Sequence, residues 1–169
     1  QGSSAYGILL SGAASNTITS NSITTSGSSA SGVWLNGSSS SNTFSFNTIK
    51  TSGASAHSLE LISSSTNTFL GDMLNASQGQ EVFSSASSDG NIFTNVTIDA
   101  TKITFMGRDF SLNASSVPAA PPTIQQVVEA FSFVFQNQSA TSWLIVNASY
   151  NQSLLNVKAA EASISWFRH

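Results

Sequence analysis

Acid–base chemistry in this chain would have to come from few side chains, because only eight acidic and five basic residues occur among 169. The densest group is Asp99, Lys102, Arg108 and Asp109. Glycosidases place two carboxyl groups around the bond that they cleave, and polysaccharide lyases combine a basic side chain with acidic Ca²⁺ ligands. This group is therefore the best candidate for an enzyme site. We nevertheless interpret these residues as charges that solvate one end of the fold, and we predict that the chain is not an enzyme.

Metal chemistry has a weaker basis. His57 and Glu60 lie three positions apart, but protein metal sites usually need three or four ligands. The chain contains no cysteine, so it has neither a disulfide framework nor a thiolate site. We predict no metal site and no cofactor, and we interpret His57 as a corner residue.

Sequons of the form Asn-x-Ser/Thr are the most frequent modification motif in the chain. In a Ser-rich sequence some arise by chance, but seven in 169 residues favour an exported protein that carries N-glycans on its surface. We therefore expect an extracellular or cell-surface location. The candidate acceptors are Asn36, Asn75, Asn95, Asn113, Asn137, Asn147 and Asn151.

The charge distribution excludes two classes of partner. Net charge is −3 and charged residues make up 8% of the chain. Nucleic acid is not expected as a partner, because phosphate binding needs clustered Lys and Arg, and here the basic residues are scattered. Membrane insertion is not expected either, since no apolar run is long enough to cross a bilayer. The chain begins at Gln1 without an initiator Met, and we expect a processed product or part of a longer precursor.

The elements that would position all these side chains follow from a repeat centred on asparagine. Asn16, Asn42, Asn67 and Asn91 recur at intervals of 26, 25 and 24 residues, each with an apolar residue two positions later. A period of this length is typical of a supersecondary unit that buries its apolar face only by stacking on its neighbours. We predict that these four asparagines form a stacked structural ladder, with each Asn in the left-handed corner conformation. Asp72 takes the place that Asn47 has one repeat earlier.

Short alternating runs rich in β-branched residues, separated by Gly, Ser and Asn, predict strands joined by tight corners. The predicted fold class is all-β: a short parallel β-helix of about four or five rungs, followed by a small antiparallel β-sandwich-like unit. A degenerate fifth rung would run through Ile103, Phe105, Phe110 and Leu112. The predicted domains are a β-helix over 1–116, a Pro-rich linker over 117–122 and an antiparallel unit over 123–169 that we expect to be incomplete alone. In this last unit, strands are expected at 131–135, 143–146 and 164–167.

Surface rows on the repeats suggest weaker hypotheses. Thr17, Thr43 and Thr68 share one position, but the row ends at Ile92. This favours glycan contact over ice binding, which needs an unbroken hydroxyl array. Trp34, Phe44, Phe69 and Phe93 are interpreted as core residues, although an indole is large for a stacked coil.

The repeat pattern, Gly-Ile-x-Leu followed by Ser-Asn-x-Ile, Asn-x-Ile and Ser-Gly, resembles the right-handed parallel β-helix repeats of pectin-lyase-like proteins over residues 6–112. That resemblance implies the handedness of the coil but not an activity, because the fold hosts lyases, hydrolases, adhesins and scaffolds.

The segment from Ser142 through Tyr150 to Ser153, followed by Glu161 to Phe167, is similar to a β module that follows such repeats in surface proteins of methanogenic archaea. The Trp-Asn-Gly continuation of that module is missing here. This resemblance implies a cell-envelope or sheath component.

Two functional hypotheses follow. The first is a structural subunit of an extracellular sheath, tube or filament, which binds copies of itself through β-edge and rung-end contacts because both ends of the coil expose unpaired backbone. The alternative is a polysaccharide-active or glycan-binding β-helix of the cell surface.

Overall fold

The computed structural model describes residues 4–98, 101–114, 131–135 and 142–148, which form fifteen β-strands and no helix. Each of the first three rungs supplies three short strands: β1 (Ile8–Ser11), β2 (Thr17–Thr19) and β3 (Ser22–Thr25); β4 (Val33–Asn36), β5 (Thr43–Ser45) and β6 (Thr48–Thr51); β7 (Leu59–Leu61), β8 (Thr68–Leu70) and β9 (Met73–Ala76). The fourth rung consists of β10 (Val82–Ser84) and a long β11 (Asn91–Ile98). The remaining strands are β12 (Thr101–Arg108), β13 (Phe110–Ala114), β14 (Phe131–Phe135) and β15 (Trp143–Ala148).

Equivalent strands of successive rungs pair in parallel, so the chain winds as a coil. Sheet A has the order β1-β4-β7-β10-β13-β14. In sheet B, the series β2-β5-β8 and the series β3-β6-β9 both meet β11, whose two halves continue them. The parallel β-helix and its all-β class, predicted from the asparagine repeat, are therefore confirmed.

The corners of the coil depend on a residue in the left-handed conformation directly before each ladder position. Before the first ladder these residues are Ser15, Ser41, Thr66 and Gly90, and before the second they are Ser20, Phe46, Gly71 and Asn95. The prediction that the ladder asparagines themselves take the left-handed conformation is therefore wrong. Because the preceding residue makes the turn, the Asn side chain is free to point along the stack.

The core is a set of side-chain columns that run along the coil. Phe44, Phe69, Phe93 and Phe105 stack with ring centroids 5.1, 4.8 and 4.4 Å apart, and all four are buried. Aliphatic columns lie beside them, such as Ile49, Leu74 and Ile98, which are each 0% exposed. The stack spacing matches the strand spacing of a β-sheet, so one aromatic position per rung fills the centre of the coil.

The parallel coil ends after the fourth rung. β12 pairs antiparallel with β11, and β13 pairs antiparallel with β10. The predicted fifth rung through Ile103, Phe105, Phe110 and Leu112 is therefore wrong, because these residues lie on strands that fold back over the last rung. β14 and β15 then extend the two sheets by antiparallel pairing with β13 and β12, which agrees with the expected antiparallel C-terminal region.

The exact domain boundaries stay a prediction. The linker at 117–122 and the strand at 164–167 lie outside the described residues. Within the described ranges, no helix has the length and apolar character to cross a membrane.

Candidate functional site

Two asparagine ladders run along the coil with the same bonding scheme. In the first, the backbone N–H and the Nδ2 of Asn42 both donate to Oδ1 of Asn67, each at 3.0 Å. Asn67 makes the same pair of bonds to Asn91, at 2.9 and 3.0 Å. The structure thus brings Asn16, Asn42, Asn67 and Asn91 into one continuous ladder, in which every bond between asparagines is donated toward the C-terminal end.

The second ladder was not named from the sequence as a row, although its spacing is visible. Asn21 donates to Oδ1 of Asn47, and Asn47 donates to Oδ1 of Asp72 at 2.7 Å from its N–H and 2.9 Å from Nδ2. The signal that would have found it is a second Asn or Asp five residues after each of the first three asparagines of the first ladder.

Asp72 is the exception in this ladder because its second oxygen has no partner. The side chain is 0% exposed, and Oδ2 is buried without a hydrogen bond. In Asn47 the corresponding Nδ2 donates to the carbonyl oxygen of Ile18 at 3.0 Å. Burial raises the pKa of Asp72, and the hydrogen bonds from Asn47 oppose that rise.

The N-terminal rung forms an open edge of both sheets. Among the residues that the structure describes, β1, β2 and β3 each pair with a neighbour on one side only. Three core residues of this rung, Ile8, Leu10 and Ile18, are half-buried, whereas their partners in the second rung are no more than 1% exposed. The fourth, Ile23, is 7% exposed. The end of the coil therefore exposes both strand backbone and the end of the apolar core.

The outer face of sheet A carries a row of large side chains around one carboxylate. Leu9, Trp34, Glu60 and Phe83 occupy one register position on four successive strands. The ring of Tyr6 lies 4.4 Å from that of Trp34. The interpretation of Trp34 as a core residue is therefore wrong, whereas Phe44, Phe69 and Phe93 are core residues as expected.

Two polar groups of this row differ in their hydrogen bonding: the Glu60 carboxylate has a partner and the Trp34 indole N–H has none. Ser31 donates its hydroxyl to Oε2 of Glu60 at 2.7 Å, while Nε1 of Trp34 is buried without a partner. An indole N–H usually finds an acceptor when it is buried. We refer to Leu9, Trp34, Glu60 and Phe83, together with Tyr6, as the outer row.

His57 lies at the end of the outer row, beside Phe83. Its ring stacks on Phe83 at 5.3 Å, and its Nδ1 accepts a hydrogen bond from the backbone N–H of Gln80 at 3.1 Å. Burial lowers the pKa of His57, and the nearby Glu60 carboxylate partly offsets this. No cluster of three metal-binding side chains occurs in the described part of the chain.

Two of the charges proposed as the best enzyme candidate, Arg108 and Asp109, make structural contacts. Arg108 donates Nε to the carbonyl oxygen of Ala86 at 2.6 Å and lies 3.7 Å from the carboxylate of Asp89. Asp109 is buried and accepts a hydrogen bond from the hydroxyl of Ser142 at 2.7 Å. Lys102 is exposed, and Asp99 lies outside the described residues.

Glu81 is a further buried acid with a structural contact, because it links the coil to the strands that close it. Its side chain is 3% exposed. The two carboxylate oxygens accept hydrogen bonds from the backbone N–H groups of Ala76 at 3.3 Å and of Ala114 at 2.9 Å. Since Ala114 ends β13, this contact fixes the returning strand against the third rung.

The predicted glycan acceptors differ in accessibility. Asn75, Asn95, Asn113 and Asn147 are exposed. Asn36 is half-buried at the end of β4, and its Oδ1 is buried without a partner. Asn137 and Asn151 lie outside the described residues.

Parallel strands, polar ladders at the corners and a stacked aromatic core together define this protein as a parallel β-helix. The sequence matches the family described as "Right handed beta helix region" over residues 1–148, so the chain belongs to that family. No curated protein and no solved structure gave a match.

Proposed function

We propose that this chain is a structural segment of an extracellular sheath, tube or filament, which joins neighbouring β-helical segments through the open edge of its first rung. The observation that carries the proposal is that edge, where β1, β2 and β3 leave their outer side unpaired among the described residues. Native proteins normally protect such edges, because unpaired N–H and C=O groups are a template for another strand. Here no charged side chain lies on any of the three strands.

The apolar content of the edge supports the same role. Ile8, Leu10 and Ile18 cap the core columns and are half-buried. A further rung would bury them as completely as Val33, Leu35 and Phe44 are buried one rung below. Edge pairing would thus be accompanied by hydrophobic burial, which supplies most of the free energy of association.

The buried acidic residues also fit a structural role better than a catalytic one. Glu81 and Asp109 hold strands of the C-terminal closure in place, and Asp72 belongs to a ladder. On the outer row of sheet A, Glu60 is the one carboxylate among the four register positions, whereas glycoside hydrolysis uses a pair. The exposed sequons at Asn75, Asn95, Asn113 and Asn147 support an extracellular location.

The structure revises one premise of the assembly hypothesis. Sequence reasoning expected unpaired backbone at both ends of the coil, but β12 and β13 cover the last rung. Association through bare rungs is therefore restricted to the N-terminal end of the described residues.

A matched pair of variants tests the role of this edge. Thr17→Lys places a charge on the open strand β2, and Thr43→Lys places the same charge one rung further in, at the partnered position of β5. In electron micrographs of native cell envelopes with immunogold labelling, we expect T17K to be lost from the assembly and T43K to remain. Equal incorporation of the two variants, or absence of the parent protein from the envelope, would refute the proposal.

The outer row favours glycan binding as a second function. Trp34 and Tyr6 offer aromatic faces, and Glu60 offers a carboxylate that already accepts one hydroxyl, from Ser31. Sugar rings stack on aromatic faces and donate their hydroxyls to carboxylates. Trp34→Ala should reduce retention on immobilised envelope polysaccharide, whereas Phe46→Ala, which removes a ring that is 63% exposed and lies outside the row, should not. Equal retention of both variants would exclude this function.

A further inference from the structure

The two asparagine ladders give the coil a chemical direction. Every bond between one ladder residue and the next runs from a backbone N–H or an Nδ2 to the Oδ1 of the next rung toward the C-terminus. The second Nδ2 proton of the inner asparagines is donated to a backbone carbonyl oxygen of the preceding rung. The N-terminal end of each ladder is therefore an acceptor, and any rung placed on it must supply donors.

The terminal residues Asn16 and Asn21 show this directly. Both Nδ2 protons of Asn16 are used, by Ala14 O at 3.1 Å and Oδ1 of Asn42 at 2.9 Å. Asn21 likewise donates its two Nδ2 protons, to the carbonyl oxygen of Thr19 at 3.0 Å and to Oδ1 of Asn47 at 3.1 Å. The Oδ1 atom of each remains as the group available to a neighbour, and both side chains are exposed. Their counterparts Asn42 and Asn47, which a preceding rung covers, are each only 1% exposed, so a covering rung buries the ladder side chains.

We propose that the N-terminal end of the coil accepts a further parallel β-rung that presents asparagine at both ladder positions. This inference rests on the proposed structural role and names the partner of that edge. The occupant has a defined chemistry: two asparagines five residues apart, each donating its backbone N–H and its Nδ2, with an apolar column over Ile8, Leu10 and Ile18. Its period is that of the rungs below, where ladder partners lie 24 to 26 residues apart.

A second copy of the chain does not fit this end. Two N-terminal ends placed face to face would bring the Oδ1 acceptors of Asn16 and Asn21 against their own kind, and the Nδ2 protons of both residues are already used. A head-to-tail contact would need a bare donor end, but Asn91 lies beside antiparallel β12 and the second ladder gives way to Val96. Burying acceptors without donors is unfavourable, and this cost disfavours both arrangements of a second copy. The occupant is therefore a rung of a different β-helical segment and not a second copy of this chain.

The test supplies such a rung covalently, so that its effective concentration is high. A copy of residues 32–57, which carries Asn42 and Asn47, is inserted before Gly7, since Ile8 and Val33 are register equivalents. The matched control carries Asn42→Ser and Asn47→Ser within the inserted copy only. Ser keeps the backbone N–H and removes the Nδ2 donors.

The asparagine insert should raise the Tm of the whole chain by about 4 °C or more, because each added rung contributes an interface to a stacked array. It should also slow hydrogen exchange at the backbone amides of β1 and β2 by roughly tenfold. The serine insert should give a clearly smaller shift. An asparagine insert that leaves the Tm unchanged or lowers it overturns the proposal, and so does a serine insert that stabilises equally.

Sedimentation of the parent chain provides the second arm. We expect a monomer, and a dimer that disappears when the rung is inserted would show that a second copy is the occupant instead. The outcome is separable from that of the envelope experiment. If the protein is absent from envelopes but the asparagine insert stabilises it, the proposed structural role is refuted and the proposed binding of an asparagine rung is supported. If the protein is present in envelopes but the asparagine insert does not stabilise it, the structural role is supported and the asparagine rung is refuted as the partner.

Discussion

Asp72→Asn is the substitution with the clearest expected outcome, because the structure contains its own reference. Asn47 occupies the same ladder position one rung away and donates its Nδ2 to Ile18 O at 3.0 Å. Asp72 places an acceptor, Oδ2, where Asn47 has that donor, and Oδ2 is buried without a partner. The substitution should therefore restore the missing hydrogen bond and keep both bonds from Asn47.

The magnitude follows from the cost of leaving a buried polar atom unpaired, which is about 1–3 kcal/mol. For a chain of this length each kcal/mol shifts the Tm by roughly 2–4 °C, so the predicted rise at neutral pH is about 2–12 °C. Thermal unfolding followed by circular dichroism measures it. The matched control is Asp89→Asn, which removes a half-exposed carboxylate 3.7 Å from Arg108 and should change stability by less than about 0.5 kcal/mol.

The stability difference between Asp72→Asn and the parent protein should depend on pH in a predictable direction. The pKa of Asp72 is raised in the folded state, mainly by burial, so the folded protein holds this proton more tightly than the unfolded chain. Its contribution to stability is complete below the ordinary Asp pKa of about 3.9 and is lost as the pH rises from there through the folded pKa. The advantage of Asp72→Asn should thus be small near pH 3.5 and large at neutral pH. A constant Tm difference across this range, or a less stable variant, would refute the reasoning.

Three further substitutions probe the corners and the core by thermal or urea denaturation. Thr66→Gly should stabilise by about 1 kcal/mol, because a β-branched residue is strained at φ 56° and Gly90 fills this position in the next rung; no change would argue against strain there. Gly53→Ala should destabilise by more than about 2 kcal/mol, since its Cβ would lie 1.8 Å from the carbonyl oxygen of Gly27; a stable variant would contradict the close packing of these corners. Phe69→Leu should cost about 1–3 kcal/mol by interrupting the aromatic stack, and a neutral result would show that the column tolerates a gap.

The repeat made the coil predictable because asparagine occupies the same position in the first ladder of all four rungs. Asn16, Asn42, Asn67 and Asn91 bond to each other directly, so their spacing in sequence is the length of a rung. The conformation at the corners was less accessible. Ser, Thr, Phe, Gly and Asn all occur at the left-handed position before the ladder, and no single residue type marks it.

Trp34 was misplaced because its strand has no alternation of polar and apolar residues. Val33, Trp34 and Leu35 are all apolar, so the strand alone does not show which side faces inward. The register with the next rung does, since Glu60 is the partner of Trp34. A carboxylate in that column indicates the outer face, and it would have assigned Trp34 to the surface.

The fifth rung was mispredicted because apolar residues at intervals of two suit either a parallel or an antiparallel strand. A change in strand length marks the point where the parallel coil ends. The first three rungs are built from strands of three or four residues, whereas β11 and β12, which pair antiparallel with each other, each span eight. Glu81 and Asp109 secure this closure through backbone and hydroxyl contacts that bring together positions 33 residues apart, which no local pattern displays.

The end of the parallel coil coincides with the loss of the second ladder. The ladder position reads Asn21, Asn47 and Asp72 and then becomes Val96, which has no polar side-chain atom to continue it. In this same rung the two sheet B strands merge into β11, and its pairing with β12 shifts register between Phe93 and Val96. Without a ladder amide, the corner at Val96 cannot form hydrogen bonds to both neighbouring rungs. The chain folds back there as an antiparallel strand. The two ends of the coil therefore differ in kind, because one ladder end offers free acceptors and the other has been closed by the chain itself.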